Sequence, residues 1–355
     1  MATLYLTEQR SIVKKDGDTL VVHIPADKER GTEKRVVRVP LIKVDQVVVQ
    51  GDSTVTTPAL LALLEQRADV CFCSYYGQFR GRLAAGFSKN SALRIEQHRW
   101  HEEPDRSLAL GRAFVQGKLA NQRTLLLRTN RKRQDAAVAK AAEDIKGVLD
   151  RVPGVRRAEG ETIDPRVPQA GTAWGTLLGL EGAAAAFYFD AFRRLLKQDL
   201  GFRGRKKRPP TDAVNALLSY GYTLLMNKVA SAVQLVGLDP YVGFLHSSQY
   251  GKPALALDLM EEFRPVIADS VAQTLVNKRI VGKDDFGPGP GGGIYLNRRG
   301  LRLFFEQYSR RLNTEVTHPY YRRRLTYQQC FEVQARLLRK VIEGELEAYP
   351  PFRVR

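Results

Sequence analysis

Three stretches of the sequence hold side chains suited to chemistry at a hard metal ion. The first is Glu181, in Thr176-Leu-Leu-Gly-Leu-Glu-Gly-Ala-Ala-Ala-Ala-Phe-Tyr188. At helical spacing Leu177, Leu178, Glu181, Ala184, Ala185, Tyr188, Phe192 and Leu195 form one stripe, so the glutamate lies on an apolar face. A carboxylate there is costly unless it is paired or bound to a cation. A buried salt bridge to an arginine is the alternative reading. The second is Asp258-Leu-Met-Glu-Glu-Phe-Arg-Pro265. Asp258 and Glu261, three apart, share a helix face, while Glu262 turns toward Leu255, Leu259 and Val266. Carboxylates this close repel one another, and a cation would relieve them. A solvated acidic face balanced by Arg264 would also account for them. The third is His246, in Gly243-Phe-Leu-His-Ser-Ser248, at the end of an apolar stretch just before the acidic helix. Alone it reads as structural. Together a Glu, a His and a Glu form a mixed nitrogen and oxygen set that suits Mg2+ or Mn2+, with positions left for water and phosphate.

Two kinds of element must position these residues. Up to about residue 85 the pattern is β. Leu4 to Leu6, Ser11 to Lys15, Thr19 to Ile24, Arg35 to Val39, Gln46 to Gln50 and Val70 to Tyr75 read as strands, with a hairpin signal at Asp16-Gly17. Thr57-Pro58 opens a short helix to about Arg67. From about Ser88 onward the apolar period is helical, with Pro104, Pro153 and Pro209-Pro210 as breaks. The expected fold is α+β: a small N-terminal β-rich domain over 1–87, then a larger all-α domain over 88–355. Gly287-Pro-Gly-Pro-Gly-Gly-Gly293 reads as a flexible surface loop rather than a nucleotide cradle, since no Gly-Lys-Ser/Thr closes it.

Charge points to the partner. Lys plus Arg number 56 against 38 acidic residues, a net of +18, which is the balance of a protein that meets a polyanion. The densest run is Arg203, Arg205, Lys206, Lys207 and Arg208, a candidate contact for DNA phosphates. No apolar run is long enough to span a bilayer, and the N-terminus lacks the pattern of a signal peptide. Three cysteines, Cys71, Cys73 and Cys330, give no disulfide framework and fit a reducing cytoplasm. Cys71 and Cys73 lack a second ligand pair for zinc and read as small core residues on one strand face.

Leu180-Glu-Gly-Ala-Ala184, Pro210-Thr-Asp-Ala-Val-Asn-Ala-Leu-Leu-Ser-Tyr-Gly-Tyr222, Gly243-Phe-Leu-His246 and Leu257-Asp-Leu-Met-Glu-Glu-Phe-Arg-Pro265 occur in this order. With Gly117-Lys-Leu-Ala-Asn-Gln-Arg123 upstream and Thr326-Tyr327 and Gln334 downstream, the chain resembles the CRISPR-associated adaptation integrase family, called Cas one. The resemblance spans essentially the whole chain. Lys252-Pro-Ala254 departs from the Arg-Pro-Ser expected there. The resemblance implies a metal site at Glu181, His246 and Glu261, with Asp258 as an acidic helper; the family's other acid at the third position is Asp. It also implies a homodimer formed through the β-rich domains and a small ferredoxin-like partner protein. The activity it implies is insertion of short double-stranded DNA into a repeat array, by attack of a 3′-hydroxyl on a phosphodiester.

Two other readings use the same residues: a stand-alone metal-dependent nuclease, and a non-enzymatic DNA-binding module with structural carboxylates. One further expectation separates the neighbouring acids. Glu261→Ala should abolish strand transfer with little loss of stability, because a repulsive charge leaves. Glu262, on the apolar stripe, should pair with a buried arginine or a backbone group.

Overall fold

The computed structural model describes residues 2–26, 33–86, 88–158, 161, 171–206, 209–246 and 249–354. The N-terminal region holds β1 (Ala2–Leu6), β2 (Ser11–Asp16), β3 (Thr19–Ile24), β4 (Arg35–Pro40), β5 (Val44–Gln50), β6 (Ser53–Val55), α1 (Thr57–Glu65), β7 (Asp69–Cys73) and β8 (Phe79–Leu83). Strands β2 and β3 pair antiparallel across a tight turn at Gly17, whose φ of +54° suits a residue without Cβ. Two four-stranded sheets result, in the orders β1-β5-β7-β8 and β4-β3-β2-β6. The short β6 and β8 carry too few alternating apolar residues to stand out in the sequence. Thr56, one residue earlier than expected, stands at the N-cap position of α1 without a side-chain capping hydrogen bond.

Alternation along β5 and β7 divides the core. Val47, Val49 and Val70 join α1 and the second sheet in one cluster. Val48, Cys71 and Cys73 point the other way, into the helical core. Burial pushes the two thiols up, to about 12 for Cys71 and about 11 for Cys73, as expected of inert core residues. The first sheet is therefore covered on both faces. Tyr5 stacks on Phe305 at 4.0 Å, and Tyr220 donates to Gln50 Oε1 at 2.9 Å. The β-rich and helical regions share one packed boundary; Phe87, where the sequence suggested dividing them, lies outside the described residues.

The helical region comprises α2 (Ser91–Glu102), α3 (Pro104–Asn130), α4 (Ala136–Arg151), α5 (Ala173–Arg194), α6 (Ala213–Leu235), α7 (Ala254–Glu261), α8 (Ser270–Asn277), α9 (Arg298–Leu312) and α10 (Tyr327–Ile342). It also carries two short hairpins, β9 (Phe286–Pro288) with β10 (Ile294–Leu296), and β11 (Glu315–Thr317) with β12 (Arg324–Thr326). The first hairpin replaces the expected flexible loop at Gly287–Gly293. Two of its glycines are demanded by packing: a Cβ on Gly289 would meet the Tyr295 ring at 2.5 Å, and one on Gly293 would meet Pro209 at 2.9 Å. Helix α6 is buried on nearly every side, with Asn215, Asn227 and Lys228 enclosed among its apolar residues. After α10 the chain returns to α3. There Asn121 Nδ2 donates to Phe352 O at 2.8 Å, and the Val354 N–H donates to Asn121 Oδ1 at 2.9 Å.

Candidate metal centre

Helices α3, α5 and α7 meet where the candidate ligands lie. Thr172 caps α5 by accepting from the Gly175 N–H at 3.1 Å, and two turns later the helix delivers Glu181 to its boundary with α3. Helix α3 approaches the C-terminal end of α7 at Gly117, where a Cβ would stand 2.8 Å from Cγ of Glu262, the residue after the helix. That close approach brings the next residue, Lys118, into the site. Its ammonium hydrogen-bonds Glu181 Oε1 and lies 2.7 Å from Glu261 Oε2. Lys118 is 8% exposed and Glu261 2%, so this is a buried pairing rather than a surface one. Glu261 Oε1 accepts from Arg264 Nη1 at 2.5 Å.

The histidine arrives on a loop built around Asp258. This carboxylate is completely buried and accepts four hydrogen bonds. The Phe244 and Leu245 N–H groups donate to Oδ2 at 2.5 and 3.0 Å, and the His246 N–H donates to Oδ1 at 2.9 Å. The fourth is His246 Nδ1 to Oδ1, at 2.8 Å. Gly243 permits the approach: a Cβ there would meet Ala254 and Asp258 at 2.7 and 2.8 Å. A carboxylate on Nδ1 fixes the tautomer that leaves Nε2 as a free acceptor. That nitrogen faces Glu261 Oε1 at 4.0 Å. Asp258 thus positions the histidine, through one ring nitrogen and three backbone N–H groups.

Burial works against charge on Glu261, but Arg264, Lys118 and His246 outweigh it and hold the carboxyl far below the ordinary range. The same contest on Lys118, burial against Glu181 and Glu261, ends with the ammonium held above its usual value. Behind Arg264 stands a layer absent from the sequence reading. Its guanidinium lies 4.0 Å over the Tyr222 ring. Asp269, fully buried, accepts from Tyr222 at 2.5 Å and Tyr188 at 2.7 Å. A π-helical turn over Pro265–Asp269 swings Asp269 to this position.

Glu262 turns the other way. It accepts from the Phe352 N–H at 2.6 Å and from Gln334 Nε2 at 3.1 Å, the backbone partner being one of the two alternatives expected for it. Burial pushes its carboxyl up to about 8 despite these donors. The stability expected of Glu261→Ala is reversed by the structure. Glu261 is not in repulsive company; its removal takes one of two carboxylate partners from Lys118 and the carboxylate acceptor from Arg264.

The basic run divides. Arg203 is exposed and ion-pairs with Asp199 at 3.1 Å, and Lys206 is exposed. Arg205 is turned inward: it donates to Asn215 at 2.9 Å and Ser219 at 3.1 Å and lies 5.3 Å from the Tyr222 ring. It holds its own loop rather than presenting a free cation. Lys207 and Arg208 lie outside the described residues.

Among the described residues no three His, Cys, Asp or Glu side chains stand together as a preassembled metal cage. Lys118 separates Glu181 from Glu261. The donor set nevertheless fits a hard divalent cation. Two carboxylates converge on one positive charge, and Glu261 Oε2 is buried beside that charge without an aligned hydrogen bond.

Comparison with known proteins decides the family. The sequence profile described as "CRISPR associated protein Cas1" matches residues 4–310. The chain belongs to the Cas1 family. Relatives of this Cas1-family chain include a "CRISPR-associated endonuclease Cas1 1" of Moorella thermoacetica, 35% identical over 99% of the chain and 98% of the relative. A "CRISPR-associated exonuclease Cas4/endonuclease Cas1 fusion" of Geobacter sulfurreducens is 37% identical over 99% of the chain, which spans 60% of the fusion's length. Among solved structures, a "Casposase bound to integration product" superposes with a TM-score of 0.81 at 21% identity, over 99% of this chain and 93% of that one. A chain of a "Cas6-RT-Cas1--Cas2 complex" gives 0.73 at 23% identity, over 99% of this chain and 36% of that one. These structural likenesses show a shared fold, with the β-rich region first and the helical region after it. No helix among the described residues is long and apolar enough to cross a membrane.

Proposed function

We propose that this Cas1-family chain is a metal-dependent DNA endonuclease and integrase of CRISPR spacer acquisition. It inserts short duplexes into a repeat array by attack of a 3′-hydroxyl on a phosphodiester. The observation that carries the reading is the meeting of Glu181 and Glu261 at one buried positive charge, with the free Nε2 of His246 4.0 Å from Glu261. Glu181, His246 and Glu261 would hold Mg2+ or Mn2+. When bound, the ion supplies charge neutralisation at the scissile phosphate and its leaving oxygen and makes the attacking hydroxyl more acidic. The chain's own part is to aim Nε2 through Asp258, to hold Glu261 ionised, and to keep Arg264 fixed between Glu261 and the Tyr222 ring. Water in place of the 3′-hydroxyl gives hydrolysis, so nuclease and integrase activities share one site.

The endonuclease names of the relatives and the integration product bound by the casposase support this reading. The net charge of +18 supports double-stranded DNA as partner. A Cas1–Cas2 assembly among the structural neighbours supports a second adaptation protein as partner; the family resemblance implies that this partner is small and ferredoxin-like and that the chain acts as a homodimer through its β-rich region. Three free, buried cysteines suit a reducing cytoplasm. Half-site integration on repeat-containing DNA tests the proposal. Product should form with Mg2+ or Mn2+ and vanish with Glu181→Ala. Cleavage without joining would leave the stand-alone nuclease, and neither activity would leave a DNA-binding module.

A further inference from the structure

Lys118 occupies the place where the two acidic ligands meet. Among the described residues it is the one cation that touches both Glu181 and Glu261. Arg264, the other cation at the site, is pinned by Glu261 Oε1 and by the Tyr222 ring behind it. Lys118 reaches the site on four methylenes, and among the described residues its ammonium meets the carboxylates of Glu181 and Glu261.

We propose that Lys118 is the resident counter-ion of the metal-free site and gates metal entry, its ammonium being displaced when a divalent ion takes the same carboxylate oxygens. The proposal rests on the reading that Glu181, His246 and Glu261 form the metal site. The steric part follows from distance. A Mg2+ ion takes carboxylate oxygens at about 2.0–2.1 Å. An ion held by Glu181 and Glu261 would compete for space with the Lys118 ammonium, which hydrogen-bonds the first carboxylate and lies 2.7 Å from the second. The electrostatic part points the same way. The Lys118 ammonium already offsets part of the charge of the two carboxylates. A divalent ion must out-compete that charge. A DNA phosphate brought to the site offers the expelled ammonium a new anionic partner, so DNA and metal should load together.

The test is Mn2+ binding to the full chain without DNA, by titration calorimetry, for wild type and Lys118→Met. Removing a competing positive charge beside the ion should tighten Mn2+ binding by about tenfold or more. Lys118→Arg, which keeps the charge, should bind Mn2+ no tighter than wild type. Equal or weaker binding by Lys118→Met overturns the gate while leaving the metal site standing. No Mn2+ binding by wild type or Lys118→Met removes the metal reading itself, and the gate with it. Should Lys118→Met fail to fold without metal, Lys118→Gln supplies the same comparison through its thermal midpoint. Mn2+ should raise that midpoint more than it raises the wild-type one; an equal rise counts against the gate.

Discussion

On one side of α7, Glu261 meets two cations and an imidazole; next to it in the chain, Glu262 meets the C-terminal tail. Both carboxylates are buried to within 1% of complete exclusion from solvent, so burial alone does not distinguish them. Their partners do. Lys118 and Arg264 keep Glu261 ionised, whereas Glu262 has only neutral donors and is pushed up to about 8. A helix step of about 100° is enough to turn one side chain to the charged cluster and the next to a neutral strap. A charge that can hold a metal therefore depends less on the acid than on the cations brought in from α3 and from the turn that follows α7.

The most severe way to break this contrast is Glu261→Ala. It should reduce integration by about a thousandfold or more, as expected for loss of a group acting in the transition state. It should also lower stability by about 3–5 kcal/mol, because Lys118 and Arg264 lose a buried partner. Half-site integration and urea unfolding measure the two effects; an inactive variant of wild-type stability would mean that the cations find solvent. Asp258→Asn comes next. It loosens His246 without removing a ligand and should weaken Mn2+ affinity by roughly 10–100-fold. Unchanged affinity in calorimetry would place the histidine outside the site.

Glu262 should answer differently. Glu262→Ala should keep metal-dependent cleavage and lower stability by roughly 1–3 kcal/mol, since the Phe352 N–H and Gln334 lose an acceptor. Its pH dependence has a definite sign. The carboxyl lies higher in the folded chain, at about 8, than its ordinary 4.5. The folded state therefore binds this proton more tightly, so the stability it contributes is complete below about 4.5 and is lost as pH rises toward 8. Glu262→Gln should flatten that slope in unfolding curves taken across the window, and an unaltered slope would show that Glu262 is ionised as folded.

Much of this was legible in the sequence. The stripe around Glu181, the three-residue spacing of Asp258 and Glu261, and the two-residue spacing of Cys71 and Cys73 are local periodicities, and local geometry preserves them. Lys118 was not legible as a site residue. It is 63 positions from Glu181 and reads as one more helical lysine among many basic residues. The reason it turns inward is Gly117, whose need for close approach shows only once α7 is placed against α3. The inward turn of Arg205 was hidden for the same reason: nothing in a basic run marks the one side chain that binds Asn215 and Ser219. The Asp269 layer depends on a π-helical turn, which breaks the helical period on which the sequence reading rests.

The smallest effect belongs to the basic run and sharpens the same lesson about partners. Reversing Arg203 and Lys206 to Glu should weaken binding to unrelated duplexes alike and reduce the slope of affinity against salt by roughly one to two phosphate contacts. Fluorescence anisotropy at several salt concentrations reads this. An unchanged slope would make those residues a solvated face.

The most direct test of the central claim is half-site integration by the purified chain, assembled with its partner protein and a short duplex, with Mg2+ or Mn2+ against EDTA. Joined product should appear with either ion, disappear in EDTA and return when the ion is restored; equal product in metal-free buffer would contradict a metal centre at Glu181, His246 and Glu261.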